Sequence, residues 1–323
     1  MFFKHTKPSD APIMAAAIVS ACRINGWSDE FQPLFLNTIF KGLMSYDCDF
    51  DNLPSISIDE FAKAMPEAEK RNEVIDLMLA VEMLCSDIPE EVSSSIALWA
   101  NTLGIENSGL ALVRDLAKKS IHHAQQDFYR NNYYHDKDLA LPKFDKLEDK
   151  YGLDAIMLTV EESSELAARF ESLENCPTGS FGRGLWDFYK TRGFSFPGVL
   201  GGVNLSVAHH DWIHVLADYD SNGIGEMEVG AFSSMATSSP AAVMAFLGVV
   251  SIFQGGLLKT IVGTAPHLGH ELEVEDGPKR IADALRRGKA INIDLITNIN
   301  FFDYASRQLD ELRKEWNIIP KEV

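Results

Sequence analysis

His210-Asp211-Trp212-Ile213-His214, followed twelve positions after the second histidine by Glu226, is the stretch on which the reading of this chain turns. Residues four apart lie one above the other on a helix face, so the segment reads as a helix that sends two imidazoles to one point. Asp211 lies about 100° around that helix from His210. It can therefore coordinate from the side, orient a ligand or take a proton. Between His214 and Glu226, Asp218-Tyr219-Asp220-Ser221-Asn222-Gly223-Ile224-Gly225 is rich in turn formers, which folds the chain back and brings the Glu226 carboxylate to the same place. The expectation is a divalent metal held by His210, Asp211, His214 and Glu226. Mixed nitrogen and oxygen ligands suit zinc first, with manganese, magnesium or iron as alternatives.

A single histidine is more often a packed or solvated side chain than a ligand. Four such residues in this register should arise by accident in on the order of one in a thousand chains of this composition, which favours the metal reading. Asp211 and His209 are the candidates for moving a proton.

This spacing, HDxxH with a Glu twelve positions on, resembles the signature of the ubiquinone (coenzyme Q) biosynthesis protein family usually called the fourth of its set. Upstream, Pro177-Thr178-Gly179-Ser180-Phe181-Gly182-Arg183-Gly184-Leu185-Trp186-Asp187-Phe188 is similar to that family's PxGSLGR entry to a helix. Downstream, Ala284-Leu285-Arg286-Arg287-Gly288-Lys289 and Leu309-Asp310-Glu311-Leu312-Arg313 extend the likeness in the same order. The resemblance implies an α-helical fold with one divalent metal beside an apolar channel for a polyprenyl chain. It also implies a role in ubiquinone assembly, as an organiser of the other biosynthesis proteins and in oxidative decarboxylation of the prenylated ring. Arg183, Met244, Phe246, Leu247 and Phe253 are then the candidate substrate contacts, although for any one of the four apolar residues plain core packing is the stronger reading. The expected setting is cytoplasmic and peripheral to the membrane, with a prenylated quinone precursor or another isoprenoid lipid as ligand and a homodimer left open.

The chain departs from the family pattern in two places. Leu205-Ser206-Val207-Ala208-His209 stands where the family places Arg and Tyr, and Gly230-Ala231-Phe232-Ser233 where it carries Lys and a second Glu. Lost cations change which anionic head group is held.

With 323 residues and 46% hydrophobic content the chain can bury a large core in two domains. A net charge of −18 without a basic stripe argues against nucleic acid. Cys22, Cys48, Cys85 and Cys176 are far apart, form no C-x-x-C pair and fit a reducing compartment. Val19-Ser20-Ala21-Cys22 looks like a lipoprotein cleavage site, but Asp10 and Pro12 interrupt the apolar run before it. The reading is instead a first helix, capped by Ser9 or Asp10, with Pro12 in its first turn and its end at Arg23.

Apolar residues recur at three-and-four spacing over Glu73 to Cys85 and Ser93 to Leu103, with Gly104 as a stop. This is a helical-bundle pattern over 1–130, and with the metal- and lipid-binding helical domain that the resemblance implies over 140–323 the expected fold is all-α. Gly26-Trp27-Ser28-Asp29-Glu30 and Ser86-Asp87-Ile88-Pro89-Glu90-Glu91 each open a helix with acidic residues and hint at an internal repeat. Pro12 to Ser120 weakly resembles the tellurite-resistance TerB-like helical domain, a generic bundle being the plain alternative. The polar stretch Tyr129 to Asp138, before Pro142, marks the expected boundary. His122, His123 and His135 have no further ligands in register and are expected in solvent.

Asp218, Asp220, Asn222 and Gly223 begin like a calcium loop, but its twelfth position is Val229. Asp49, Asp51, Asp59 and Glu60 mimic another, with Leu53 and Pro54 where a ligand and the turn glycine belong. The apolar run Pro240 to Leu258 is just long enough to cross a bilayer, but a buried helix is the better reading, since no second span accompanies it and its glycines allow close helix contacts in a packed interior. A zinc peptidase is a weaker reading, because HDxxH mimics HExxH with a shorter acid. The two main functions are metal-assisted chemistry on a prenylated ring and non-catalytic holding of an isoprenoid lipid as a scaffold.

Overall fold

The computed structural model describes residues 2–118, 158–159, 161–239, 241–258, 269–297 and 299–323. Among them lie thirteen α-helices and no strand, only the isolated bridges Leu158–Val203 and Ser180–Gln308. The all-α expectation holds. The expected boundary, together with His122, His123 and His135, falls outside the described residues.

The first six helices are α1 (Ala11–Cys22), α2 (Phe31–Met44), α3 (Ile58–Ala64), α4 (Ala68–Glu82), α5 (Glu90–Leu103) and α6 (Gly109–Ala117). Helix α1 is apolar on every side and buried along most of its length, which places it inside the bundle, against α3, α4 and α5. Pro12 lies in its first turn, as expected, and the helix ends at Cys22, one residue before the expected Arg23, which is its cap. Asp10 is the cap residue, but its carboxylate turns back to accept the Lys7 N–H at 2.8 Å. Ser57 and Glu60 form a reciprocal capping box at the start of α3. Helix α5 ends at Gly104, whose φ of +67° lets Ile105 N–H reach Ala100 O at 2.9 Å. Glu73 on α4 accepts the N–H groups of Lys4, His5 and Thr6 and the Thr6 hydroxyl, tying the leading segment to the bundle.

Glu82, at the end of α4, is the least satisfied of these acids. It lies fully buried, one carboxylate oxygen has no hydrogen-bond partner, and the other is 3.4 Å from Gln32 Nε2. Burial pushes its pKa up to about 8, against a small lowering by Gln32. A carboxyl raised in the folded state contributes its stability below the unfolded value near 4.5 and loses it as pH climbs to about 8. Glu82→Gln should therefore match the parent at pH 4.5 and exceed it by a few kcal/mol at pH 8.5 in urea unfolding. A difference that is constant with pH would contradict this assignment.

The later helices are α7 (Ser164–Glu171), α8 (Phe181–Arg192), α9 (Leu205–Ala217), α10 (Gly223–Met235), α11 (Ala241–Phe253), α12 (Gly277–Ala290) and α13 (Leu309–Glu315). Helix α10 is the hub, packed against α9, α11 and α12. Small residues set the spacing. A side chain at Gly288 of α12 would collide with the Phe232 carbonyl of α10, and one at Gly230 would press on Val249 of α11 at 3.2 Å. The two halves share one apolar core. Helix α12 lies on α2, where Gly42 faces Ala282, and the Phe2 ring meets Phe246 edge to face at 5.4 Å. The apolar run from Pro240 gives α11, thirteen buried or nearly buried residues. No helix among the described residues is long and apolar enough to cross a membrane.

Candidate metal centre

Helix α9 carries His210, Asp211 and His214, and the turn after it delivers Glu226 from the first turn of α10. Asn204 Oδ1 accepts the Val207 N–H at 3.2 Å near the start of α9. Asp218 takes a left-handed φ of +62° to end it, and Asn222 caps α10 by accepting the Gly225 N–H at 2.9 Å. The would-be calcium residues Asp218, Asp220 and Asn222 are thus the hinge of a helical hairpin.

Three ligand atoms converge. His210 Nε2 is 2.8 Å from Glu226 Oε2 and 2.9 Å from His214 Nε2, and His214 Nε2 is 3.2 Å from Glu226 Oε1. Both imidazoles are buried, while the Glu226 side chain keeps 25% of its exposure. Burial raises the Glu226 carboxyl, but the imidazoles of His214 and His210 outweigh that and hold it well below the usual range. Burial alone would lower His214, yet Glu226 and then Asp211 overcome it and raise its pKa. His214 Nδ1 lies 3.2 Å from Tyr219 O. Donation there leaves Nε2 with its lone pair toward the cluster, the tautomer a metal ligand needs. The donor set fits a cation: two nitrogens face each other with a carboxylate beside them, and a shared positive charge relieves the crowding of lone pairs.

The fourth expected ligand stands apart. Asp211 is not within reach of the other three together; its Oδ2 accepts the Tyr189 hydroxyl of α8. Burial raises its pKa, against lowering by His210, His214 and the Tyr189 hydroxyl. His209 faces away from the cluster. Its Nε2 meets Leu295 O at 2.8 Å, its ring stacks on Phe301 at 4.5 Å, and burial drops its pKa to about 4. The short acid needed by the peptidase reading is likewise committed to Tyr189.

The candidate substrate contacts lie elsewhere. Arg183 donates to Glu174 O and Asp187 and sits over the Trp186 ring at 4.5 Å. Met244, Phe246, Leu247 and Phe253 are all buried in the core, Phe246 against Phe2 and Leu247 near Gly109 of α6. Phe246 and Leu247 thus pack between the two halves, while Met244 and Phe253 are buried members of the shared core.

Three stretches noted in the sequence build the frame of the site. Ser180 caps α8, while Phe181 and Gly182 donate their N–H groups to Arg307 O and Ala305 O. That fixes α8, whose Phe188 ring stacks on His214 at 5.5 Å and whose Tyr189 reaches Asp211. Arg313 donates to Leu216 O at 2.9 Å and Val215 O at 3.1 Å, capping the last turn of α9. Arg287 on α12 lies over the Tyr219 ring at 4.9 Å and steadies the turn between the ligands. Sequence reading missed Tyr189 and Phe188; the periodic apolar face of Phe181, Leu185 and Phe188 could have marked them as buried, but not as neighbours of α9.

Fold and site together define an all-α protein with a His–His–Glu cluster at a helical hairpin. No family model and no curated protein matches the chain. Among solved structures, a "putative ubiquinone biosynthesis protein" from Nostoc punctiforme PCC 73102, solved at 2.85 Å, matches with a TM-score of 0.36 and 17% identity, over 66% of this chain and 98% of that one. A likeness at this level bears on neither activity nor ligand.

Proposed function

We propose that this protein binds one divalent metal ion through His210, His214 and Glu226 and serves ubiquinone or related prenyl-quinone biosynthesis, holding or acting on a prenylated aromatic intermediate. The observation that carries this is the convergence of three ligand atoms with the His214 ring already oriented by Tyr219 O. The order of the resembling stretches around that point supports the family reading. Two imidazoles and one carboxylate suit zinc, manganese or iron and leave room for an outside ligand, as catalytic sites do.

A cation bound there supplies Lewis acidity toward a carboxylate or phenolic oxygen of the ring. The chain's own groups do the rest. Phe188 covers one face of His214 and keeps water from it. Tyr189 and Asp211 hold a proton between them beside the cluster. The finer reading is oxidative decarboxylation: the bond from ring carbon to carboxyl breaks and carbon dioxide leaves, water supplies the hydroxyl that takes its place, and dioxygen, the external oxidant, takes up the two electrons and two protons and leaves as hydrogen peroxide.

Membrane contact has its own support. Of the exposed large apolar side chains among the described residues, Phe194 (43%), Val199 (38%) and Leu200 (55%) fall in one uncharged loop between α8 and α9, and Leu205 (42%) opens α9 directly after it. Phe194 packs at its inner edge on Phe188, next to His214. Such a loop suits dipping into a lipid surface from which a prenylated ligand is drawn.

Mass spectrometry of metals and lipids carried by the purified protein tests the proposal. One equivalent of transition metal with a prenylated aromatic is the expected result. Metal with ordinary phospholipid would favour a non-catalytic isoprenoid carrier or scaffold, and absence of metal would end the reading.

A further inference from the structure

Tyr189 is fully buried, and its ring is wedged among aromatic neighbours: stacked on Phe196 at 5.3 Å, tilted against Phe170 at 6.3 Å, and edge-on to Phe188 and Phe194. Phe196 is itself anchored by Phe170, and the loop that carries it is tied down through Thr159, whose N–H donates to Gly202 O at 2.7 Å and whose hydroxyl donates to Val203 O at 2.9 Å. The tyrosine hydroxyl therefore has a fixed address, and it is spent on Asp211 Oδ2. Asp211 sits on α9 next to His210 and one turn before Val215, on the same helix as both imidazole ligands, yet outside their cluster.

Two demands compete for this carboxylate. A cation at the cluster attracts it, while swinging it away from Tyr189 would leave a hydroxyl unpaired in an aromatic cage, which is costly for a buried donor. Charge-assisted O–H donation to a carboxylate is among the stronger hydrogen bonds, which adds to the hold. We infer that Tyr189 is a positioning residue that keeps Asp211 out of the coordination sphere, so that His210, His214 and Glu226 alone ligate and a position stays open for a small anionic ligand or a substrate oxygen. This rests on the metal reading above and adds to it the reason why the site has three protein ligands rather than four.

Cobalt(II) is the probe, since its visible absorption reports coordination, and azide tests for an open position. Wild-type protein loaded with cobalt should change its spectrum on adding azide. Tyr189→Phe keeps the ring, frees Asp211 to ligate, and should bind cobalt about ten-fold more tightly while losing the azide response. Tyr189→Phe combined with Asp211→Asn should recover that response, because the added ligand is then gone. If Tyr189→Phe binds cobalt and answers azide as the wild type does, the inference fails and the metal site stands. If wild-type protein takes up no cobalt, the metal reading itself falls. A test without substitution runs beside these: proton NMR of the cobalt-loaded wild type should show strongly shifted signals from two imidazoles and one carboxylate side chain, and a fourth set from Asp211 would overturn the inference.

Discussion

Replacing His210 and Glu226 together by alanine is expected to take bound divalent metal from one equivalent per chain to none, read by elemental analysis after exhaustive buffer exchange. The effect should be complete because two of three donors go at once, and His214 alone cannot hold a cation against water. Folding should survive. Glu226 lies just past the turn of the hairpin, in the first turn of α10, with a quarter of its side chain in solvent, and His210 belongs to the cluster rather than to the apolar core shared by the two halves. Circular dichroism should show the helical signal retained. Stoichiometric metal in this double variant would refute the assignment of the ligands.

The second large effect concerns packing. Gly288→Ala should destabilise the protein by about 3 kcal/mol, since the added methyl meets the Phe232 carbonyl and lies 2.8 Å from Met235 Cβ, and two packed helices yield little. Gly42→Ala is the matched control. Its methyl would meet only Ala282 Cβ at an ordinary 3.8 Å, and alanine favours the helix by about 1 kcal/mol over glycine. Thermal unfolding should thus fall for the first and hold or rise for the second. Equal behaviour of the two would mean that α10 and α12 do not meet as closely as described.

The helical character of the chain and the heart of the site were legible because both depend on local spacing. Two histidines four apart need only a helix to converge, and Asn222 with its neighbouring glycines needs only a turn to bring Glu226 back. Gly104 as a helix stop is local in the same sense. What escaped was set by distant partners. Asp211 was expected among the ligands, but a hydroxyl twenty-two residues earlier claims it. His209, next to the ligands in sequence, is turned by the helix toward Leu295 and Phe301, residues that no pattern around it announces. Arg183 was named as a candidate substrate contact, and its guanidinium donates to Asp187 on its own helix and to the carbonyl of Glu174, partners that the spacing around it does not announce. The apolar residues of α11 gave no sign in the sequence of whether they face a cavity or another helix, and Phe2 fills the place beside Phe246.

The Tyr219 carbonyl that orients His214 belongs to the turn that carries Glu226 back, and Arg287 lies over the ring of that same tyrosine. The three clustered donors are accordingly not independent side chains but one mechanical unit. Anyone transplanting this centre onto another helical scaffold would have to move residues 210–226 as a block, with a cation supplied beneath the turn, and could not tune one donor without disturbing the others.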